Sequence, residues 1–233
     1  MAESEPFTTG DTILRGIVGS TAYGLDHPGS DVDRLGMFVA PTRAFHGLHQ
    51  PQESRVLKVP SDYTEHEVGK YIRLLLKCNP TVTELLWLPD ELYEIRTVEV
   101  EYLIAIRRKL LYAKGVRNAY LGYATQQFQK LFRRGDGSFS ADTRHRTEKH
   151  ARHLMRLCWQ GFTLYSTGVL PIRVEDPEVY REFGRNVATH PDHARRILTQ
   201  YEGLFNETKS VLLSEPDEAA AERWLLDIRM RHL

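Results

Sequence analysis

One stretch constrains the chain more than any other: GIVGSTAYGLDHPGSDVDRLGMFV, residues 16–39. An apolar run ends in Gly19-Ser20. A loop of nine residues follows, and Ser30-Asp31-Val32-Asp33 leads into a second apolar run that stops before Pro41. Short apolar runs bounded by glycine and proline read as strands. Side chains two apart on a strand project to the same side, so Asp31 and Asp33 are expected to point together. Paired carboxylates repel and call for a cation between them. Mg²⁺ takes oxygen ligands and is commonly held by one or two carboxylates plus substrate phosphates. Glycine lets backbone approach a phosphate, and a serine hydroxyl with neighbouring N–H groups can hold its oxygens. A bare Asp-x-Asp is common in solvated loops. The ordered combination of strand, Gly-Ser turn, loop and Asp-x-Asp is far more specific, and it points to metal-assisted phosphoryl or nucleotidyl transfer.

The rest of the chain has two textures. Up to about residue 62 it is punctuated by Gly and Pro, with strands expected over 12–20, 31–41 and 54–64, the last interrupted by Pro60. Beyond that, apolar residues recur at helical spacing, as in Val68, Tyr71, Ile72, Leu75 and Leu76. Further helices are expected over 81–89, 97–115, 117–137, 142–168, 176–186, 190–213 and 215–233. The expected architecture is α+β: a small mixed β-sheet domain over 1–110, followed by an α-helical bundle over 111–233 that packs against it. Lys+Arg and Asp+Glu are both 31, so net charge draws the chain to neither nucleic acid nor membrane, and such a partner must be met by a local patch. Cys78 and Cys158 lack CxxC spacing and read as buried free thiols. No apolar run approaches a membrane span, and the acidic, polar start MAESEPFTTGD does not read as a signal peptide, so the cytoplasm is the default setting.

The stretch GIVGSTAYGLDHPGSDVDRLGMFV resembles the nucleotidyltransferase fold of the DNA polymerase β superfamily. The segments EVGKYIRLLLKCNPTVTELLWLP, YLGYATQQFQKL and KHARHLMRL are similar to one branch of it, the predicted nucleotidyltransferases that include RNA-ligase-associated proteins. The resemblance covers most of residues 13–170. It implies that Asp31 and Asp33 hold two Mg²⁺ ions (Mn²⁺ being an alternative) and that Gly19, Ser20 and Thr21 hold the β- and γ-phosphates of a nucleoside triphosphate. It also implies a third carboxylate on a later strand. Asp62 is the first choice, with Glu65 and Glu67 as alternatives that already fall near the following helix.

Tyr23 is a candidate to stack on base or sugar. Arg34, Lys70, Lys77, Asn79 and Glu84 read as structural first. The stretch Arg144, His145, Arg146, Lys149, His150, Arg152, His153, Arg156 is densely basic, with Lys130, Arg133 and Arg134 before it. Lys149, His153 and Arg156 share one helix face. Lys149 and His153 are therefore assigned to triphosphate or RNA phosphate, making RNA a candidate partner through the helices of residues 130–156. Two other readings compete. Arg144 to His150 and Arg146 to His153 fit a loose helical ribonuclease pattern, and a non-catalytic nucleotide or RNA sensor would keep the same fold. The acceptor, the preferred nucleotide and the oligomeric state are not encoded legibly.

Overall fold

The computed structural model describes residues 10–57, 63–132 and 141–233. Asp62 lies outside these, as do Arg133 and Arg134. The chain divides into two compact units, residues 1–77, 81–110 and 216–233 in the first and 78–80 and 111–215 in the second.

The first unit is built on a mixed sheet of β1 (Asp11–Ile17), β2 (Arg34–Val39), β3 (Ser54–Leu57), β4 (Tyr63–Glu67) and β5 (Tyr93–Arg96), in the order β3-β4-β2-β1-β5. β2 and β4 run parallel, and the other neighbours are antiparallel. The architecture is α+β, as expected, with three corrections of detail. The segment expected as one third strand forms two, β3 and β4, which pair with each other. β2 begins at Arg34, so Asp31 and Asp33 lie just ahead of it. Glu65 and Glu67 stand in β4 and not in the helix that follows.

Helices cover one side of this sheet for the reason the sequence suggests. α2 (Val68–Leu76) buries Val68, Tyr71, Ile72 and Leu75 along one face. Tyr71 donates its hydroxyl to the Val82 carbonyl in α3 (Pro80–Leu85), at 2.9 Å, which satisfies the one polar atom of a fully buried ring. Pro80 opens α3, where a missing N–H costs nothing. α4 (Val98–Ile106) buries Val100, Leu103 and Ile104.

The last helix, α9 (Glu218–Arg231), belongs to this first unit, whereas the sequence division placed it with the bundle. Its Ala220, Ala221, Trp224 and Ile228 are buried, and Trp224 donates its indole N–H to the Glu99 carbonyl at 2.9 Å. Arg229 reaches Glu67 at 2.6 Å and lies over the Phe45 ring. Glu67 also caps α2 by accepting from the Gly69 N–H at 2.8 Å.

The second unit is helical: α5 (Ala113–Phe132), α6 (Ala141–Thr167), α7 (Pro177–Thr189) and α8 (Asp192–Glu207). Gly115, expected to close the third helix, sits inside α5 instead. Phe162 and Tyr165 pack edge-on against Phe205, and Phe162 does the same with Tyr201, joining α6 to α8. Cys78 and Cys158 are buried free thiols, and burial pushes them up to about 11 and about 12. Among the described residues no helix is long and apolar enough to cross a membrane.

Glu67→Ala is expected to destabilise the first unit by about 3 kcal/mol, because it strips a helix cap and leaves a largely buried guanidinium without its carboxylate. Glu67→Gln keeps the cap acceptor and should lose less. Urea denaturation of the two variants checks the order; equal stabilities would show that the ion pair contributes nothing.

Candidate active site

β1 and β2 are held side by side up to the point where the Gly-Ser turn begins. Ile17 pairs with Arg34, and one step further the Val18 N–H donates to the Asp33 carbonyl at 2.9 Å. Val18 is still extended, and Gly19 then turns to φ +71°. A Cβ at position 19 would collide with Asp33 Oδ2 and lie 3.1 Å from its Cβ and Cγ. Glycine is thus required twice over, for the left-handed backbone and for the close approach of the Asp33 carboxylate. The chain then winds into a short turn of helix, α1 (Gly19–Tyr23). Gly24, at φ +70°, closes it, and the Leu25 N–H donates to the Ser20 carbonyl at 2.9 Å. Ser20 and Thr21 are therefore held in a fixed turn that starts against Asp33. Asp31 is exposed, and among the described residues nothing hydrogen-bonds or ion-pairs with its carboxylate.

Glu65, Glu67 and Glu94 of the sheet are engaged. In-register neighbours point the same way, so Tyr63, Glu65 and Glu67 share a face with their partners Arg34, Gly36 and Phe38. Glu65 is buried, accepts from Thr12 Oγ1 at 2.6 Å and lies 3.5 Å from Arg55 Nη1. Gly36 makes room for it, since a Cβ there would lie 2.9 Å from Glu65 Cγ. Burial and the neighbouring Glu65 carboxylate push the Tyr63 hydroxyl up to about 12. Glu94 lies between two arginines, Arg15 at 3.0 Å and Arg34 at 2.8 Å. Among the described residues no group of three or more His, Cys, Asp or Glu side chains is disposed to hold a metal ion.

The family model of the RNA repair pathway DNA polymerase beta family (RlaP) matches residues 1–200. The chain belongs to that family. Membership makes it a nucleotidyltransferase of the polymerase β kind in the general sense. No protein of curated function matches the sequence significantly. Among solved structures, a nucleotidyltransferase-like protein from Exiguobacterium sibiricum is similar with a TM-score of 0.32 and 11% identity, over 98% of this chain and 76% of that one. So distant a likeness decides nothing about function.

In this polymerase beta family member, other residues singled out by sequence have partners of their own. Tyr23 donates its hydroxyl to Glu84 Oε2 at 2.6 Å, and Glu84 is buried. That bond explains both residues at once: a carboxylate beneath α1 needs a donor, and the tyrosine after the turn supplies one. Lys70 donates to Ser54 Oγ at 2.8 Å, and Ser54 bonds His66 Nδ1 at 2.9 Å. Burial, with Lys70 beside it, holds the His66 imidazole below its usual range. In the second unit, Asn79 donates to the Tyr123 hydroxyl at 2.7 Å.

Lys149 and His153 both lie on α6, in the second unit. Lys149 is exposed. His153 stands 3.4 Å from the buried Arg156. Burial first, then the neighbouring Arg156, His150, Lys130 and Lys149, holds its imidazole well below the usual histidine range. Of the pairs in the ribonuclease pattern, Arg144 is paired with Glu148 at 3.3 Å and His150 with Gln127 at 2.9 Å. Sequence reasoning passed over Arg156 as an anchor. Its signal was the i, i+4 spacing to Gln160, which a basic run disguises as surface.

Gly19→Ala and Gly29→Ala separate the two demands on the turn. Gly29 also has positive φ, at +89°, but nothing lies within 4 Å of a Cβ there. Gly29→Ala should therefore cost only the backbone strain, roughly 1–2 kcal/mol. Gly19→Ala should cost clearly more, because Asp33 must move. Thermal unfolding of both variants checks this, and equal losses would mean that the contact with Asp33 is relaxed at no cost.

Proposed function

We propose that the chain is a Mg²⁺-dependent nucleotidyltransferase that moves a nucleoside monophosphate from a nucleoside triphosphate to an acceptor hydroxyl, with an RNA end as acceptor. The observation that carries this is the close approach of Gly19 to the Asp33 carboxylate, which sets the Gly-Ser turn against the second aspartate of the Asp-x-Asp pair. The family's place in RNA repair supports the RNA end.

The donor set fits the ion. Asp31 and Asp33 offer hard oxygen ligands, the type Mg²⁺ prefers. Asp62, one residue before β4, is the proposed third carboxylate. Glu65 and Glu67 are unsuited to the part: both are engaged by basic or N–H groups, and both lie on the Arg34 face of the sheet. When bound, Mg²⁺ (or Mn²⁺) would neutralise triphosphate oxygens and lower the pKa of an acceptor hydroxyl.

Each residue then has a part. Ser20 Oγ and the N–H groups of Ser20 and Thr21 hold the β- and γ-phosphates, which orients the α-phosphorus toward the acceptor. The acceptor oxygen forms the new bond to the α-phosphorus, and the bond to the bridging oxygen of the β-phosphate breaks, releasing pyrophosphate. Asp31 and Asp33 keep the reacting phosphate and the acceptor on the same side of the turn. Tyr23 fixes the far end of α1 through Glu84 and leaves its ring beside the turn for base or sugar. Lys149 and His153, on α6, are assigned to phosphate of the nucleotide or the RNA.

Incubation with each labelled nucleoside triphosphate, Mg²⁺ and RNA bearing a free 3′-hydroxyl should transfer label to the RNA. Asp31→Asn and Asp33→Asn should each abolish transfer, as should a chelator. Label transfer retained in both variants would remove the proposal.

Ser20→Ala should act differently. The hydroxyl touches phosphates present in both ground and transition states, so its loss should raise KM by about tenfold and leave kcat nearly unchanged. A fall in kcat at constant KM would contradict the assignment.

A further inference from the structure

Helix α9 buries one face and carries an apolar row on the other. Ala220, Ala221, Trp224 and Ile228 are buried in the first unit. On the opposite side Ala219, Leu226 and Met230 stand in solvent, Leu226 53% and Met230 70% exposed. Leu226 follows Ala219 by two helical turns and Met230 follows Leu226 by one, so the three form a single row. Exposed apolar residues scattered singly need no explanation, but a row along one helix is the pattern of a helix–helix seam. Beside the row an open groove of about 340 Å³ runs between α2 and the first turns of α9, lined by Ile72, Leu76, Glu218, Ala219, Ala221 and Glu222. Methionine, unbranched and polarizable, is the side chain that fits an irregular groove most readily.

The charges of α9 are ordered along it. Asp217 caps its start, with Glu218 in the first turn and Glu222 after it, and Arg229 and Arg231 close its end. Arg223 and Asp227, both exposed, border the apolar row on one side. Asp227 meets Arg231 at 2.7 Å, and among the described residues Arg223 makes no ion pair. A parallel pair of such helices would set acidic start beside acidic start. An antiparallel pair sets acidic start beside basic end and opposes the two helix dipoles. In a two-fold pair every contact is made twice. The register that brings Arg223 level with the partner's Asp227 also brings Met230 level with the middle of the stretch 218–222 that lines the groove, and sets the two copies of Leu226 close to the axis. One register therefore satisfies charge and shape together.

We propose that the exposed face of α9 is a self-association surface. Two copies of the chain meet antiparallel across Leu226, Met230 of each copy seats in the groove of the other, and Arg223 of each pairs with the partner's Asp227. A single helix pair covers little area, and interfaces that bury less than about 1,200 Å² in total are weak. The dimer therefore forms with a dissociation constant on the order of 10–100 μM. Nothing in this rests on the nucleotidyltransferase reading.

The test is equilibrium sedimentation of the full chain over a concentration series up to about 300 μM, several times the expected dissociation constant. The wild type should pass from monomer to dimer. Leu226→Glu/Met230→Glu changes two exposed side chains, so it should melt as the wild type does and stay monomeric throughout. Arg223→Asp sets carboxylate against carboxylate twice and should weaken association about tenfold or more. Arg223→Asp/Asp227→Arg exchanges the two charges at constant net charge and should restore association, because the antiparallel pairs re-form with their signs reversed. A parallel pair would bring the new aspartate beside the partner's Glu222 instead and would not be restored. A wild type that remains monomeric over the whole series overturns the proposal and leaves this face to a partner of another sequence. A dimer that persists in Leu226→Glu/Met230→Glu overturns it as well, since another surface then holds the copies together. Failure of the exchanged variant to recover, with its melting unchanged, overturns the antiparallel register and with it the proposal.

Discussion

The approach of Gly19 to Asp33 is the constraint on which the rest of the first unit depends. Two strands converge there, β1 running out into the left-handed Gly19 and Asp33 leading into β2. The Val18–Asp33 backbone bond sets the depth of the approach, and the missing Cβ allows it. The remainder of the sheet serves to keep β1 and β2 in register. β4 holds β2 from the other side in parallel, and β5 closes the far edge of β1. A one-residue slip of β2 would turn every side chain over and carry Asp33 away from the turn, so the pairing that holds β2 in register holds the site as well as the core.

The turn and the Asp-x-Asp pair were legible in sequence because each is local. Their meaning comes from residues within about fifteen positions of one another, and the strand period connects them. The α+β class was legible for the same reason. What escaped was decided by distant partners. β5 is four residues long, follows a 3₁₀ turn and becomes a strand only through pairing with β1, some eighty positions earlier. The fused third strand escaped because β-branched residues run on both sides of the break. The allegiance of α9 escaped because amphipathic spacing shows that a face is buried and not what buries it. Only Trp224 with Glu99 and Arg229 with Glu67 settle that.

The basic run on α6 shows the opposite difficulty. Arg144 and Lys149 are exposed, as charge runs usually are. Arg156, in the same run and by the same spacing, is buried and donates to Gln160. Composition cannot distinguish the two. A glutamine four residues after an arginine, one turn further along the same helix, can hold a guanidinium in place rather than leave it solvated, as Gln160 does for Arg156.

A chain with 31 residues of each sign thus sorts its charges locally. Within the sheet, arginines are placed on the structural carboxylates: Arg55 on Glu65, Arg229 on Glu67, Arg15 and Arg34 on Glu94. Each pairing holds two strands or a strand and a helix together, and each removes a competitor for cations. Asp31 has no such partner among the described residues. A carboxylate beside a turn that holds phosphate would be disfavoured by itself, since the phosphate would repel it. The arrangement becomes favourable only when a divalent cation stands between them, because the ion is then attracted by both. On the proposed function, that carboxylate would make nucleotide binding depend on the metal.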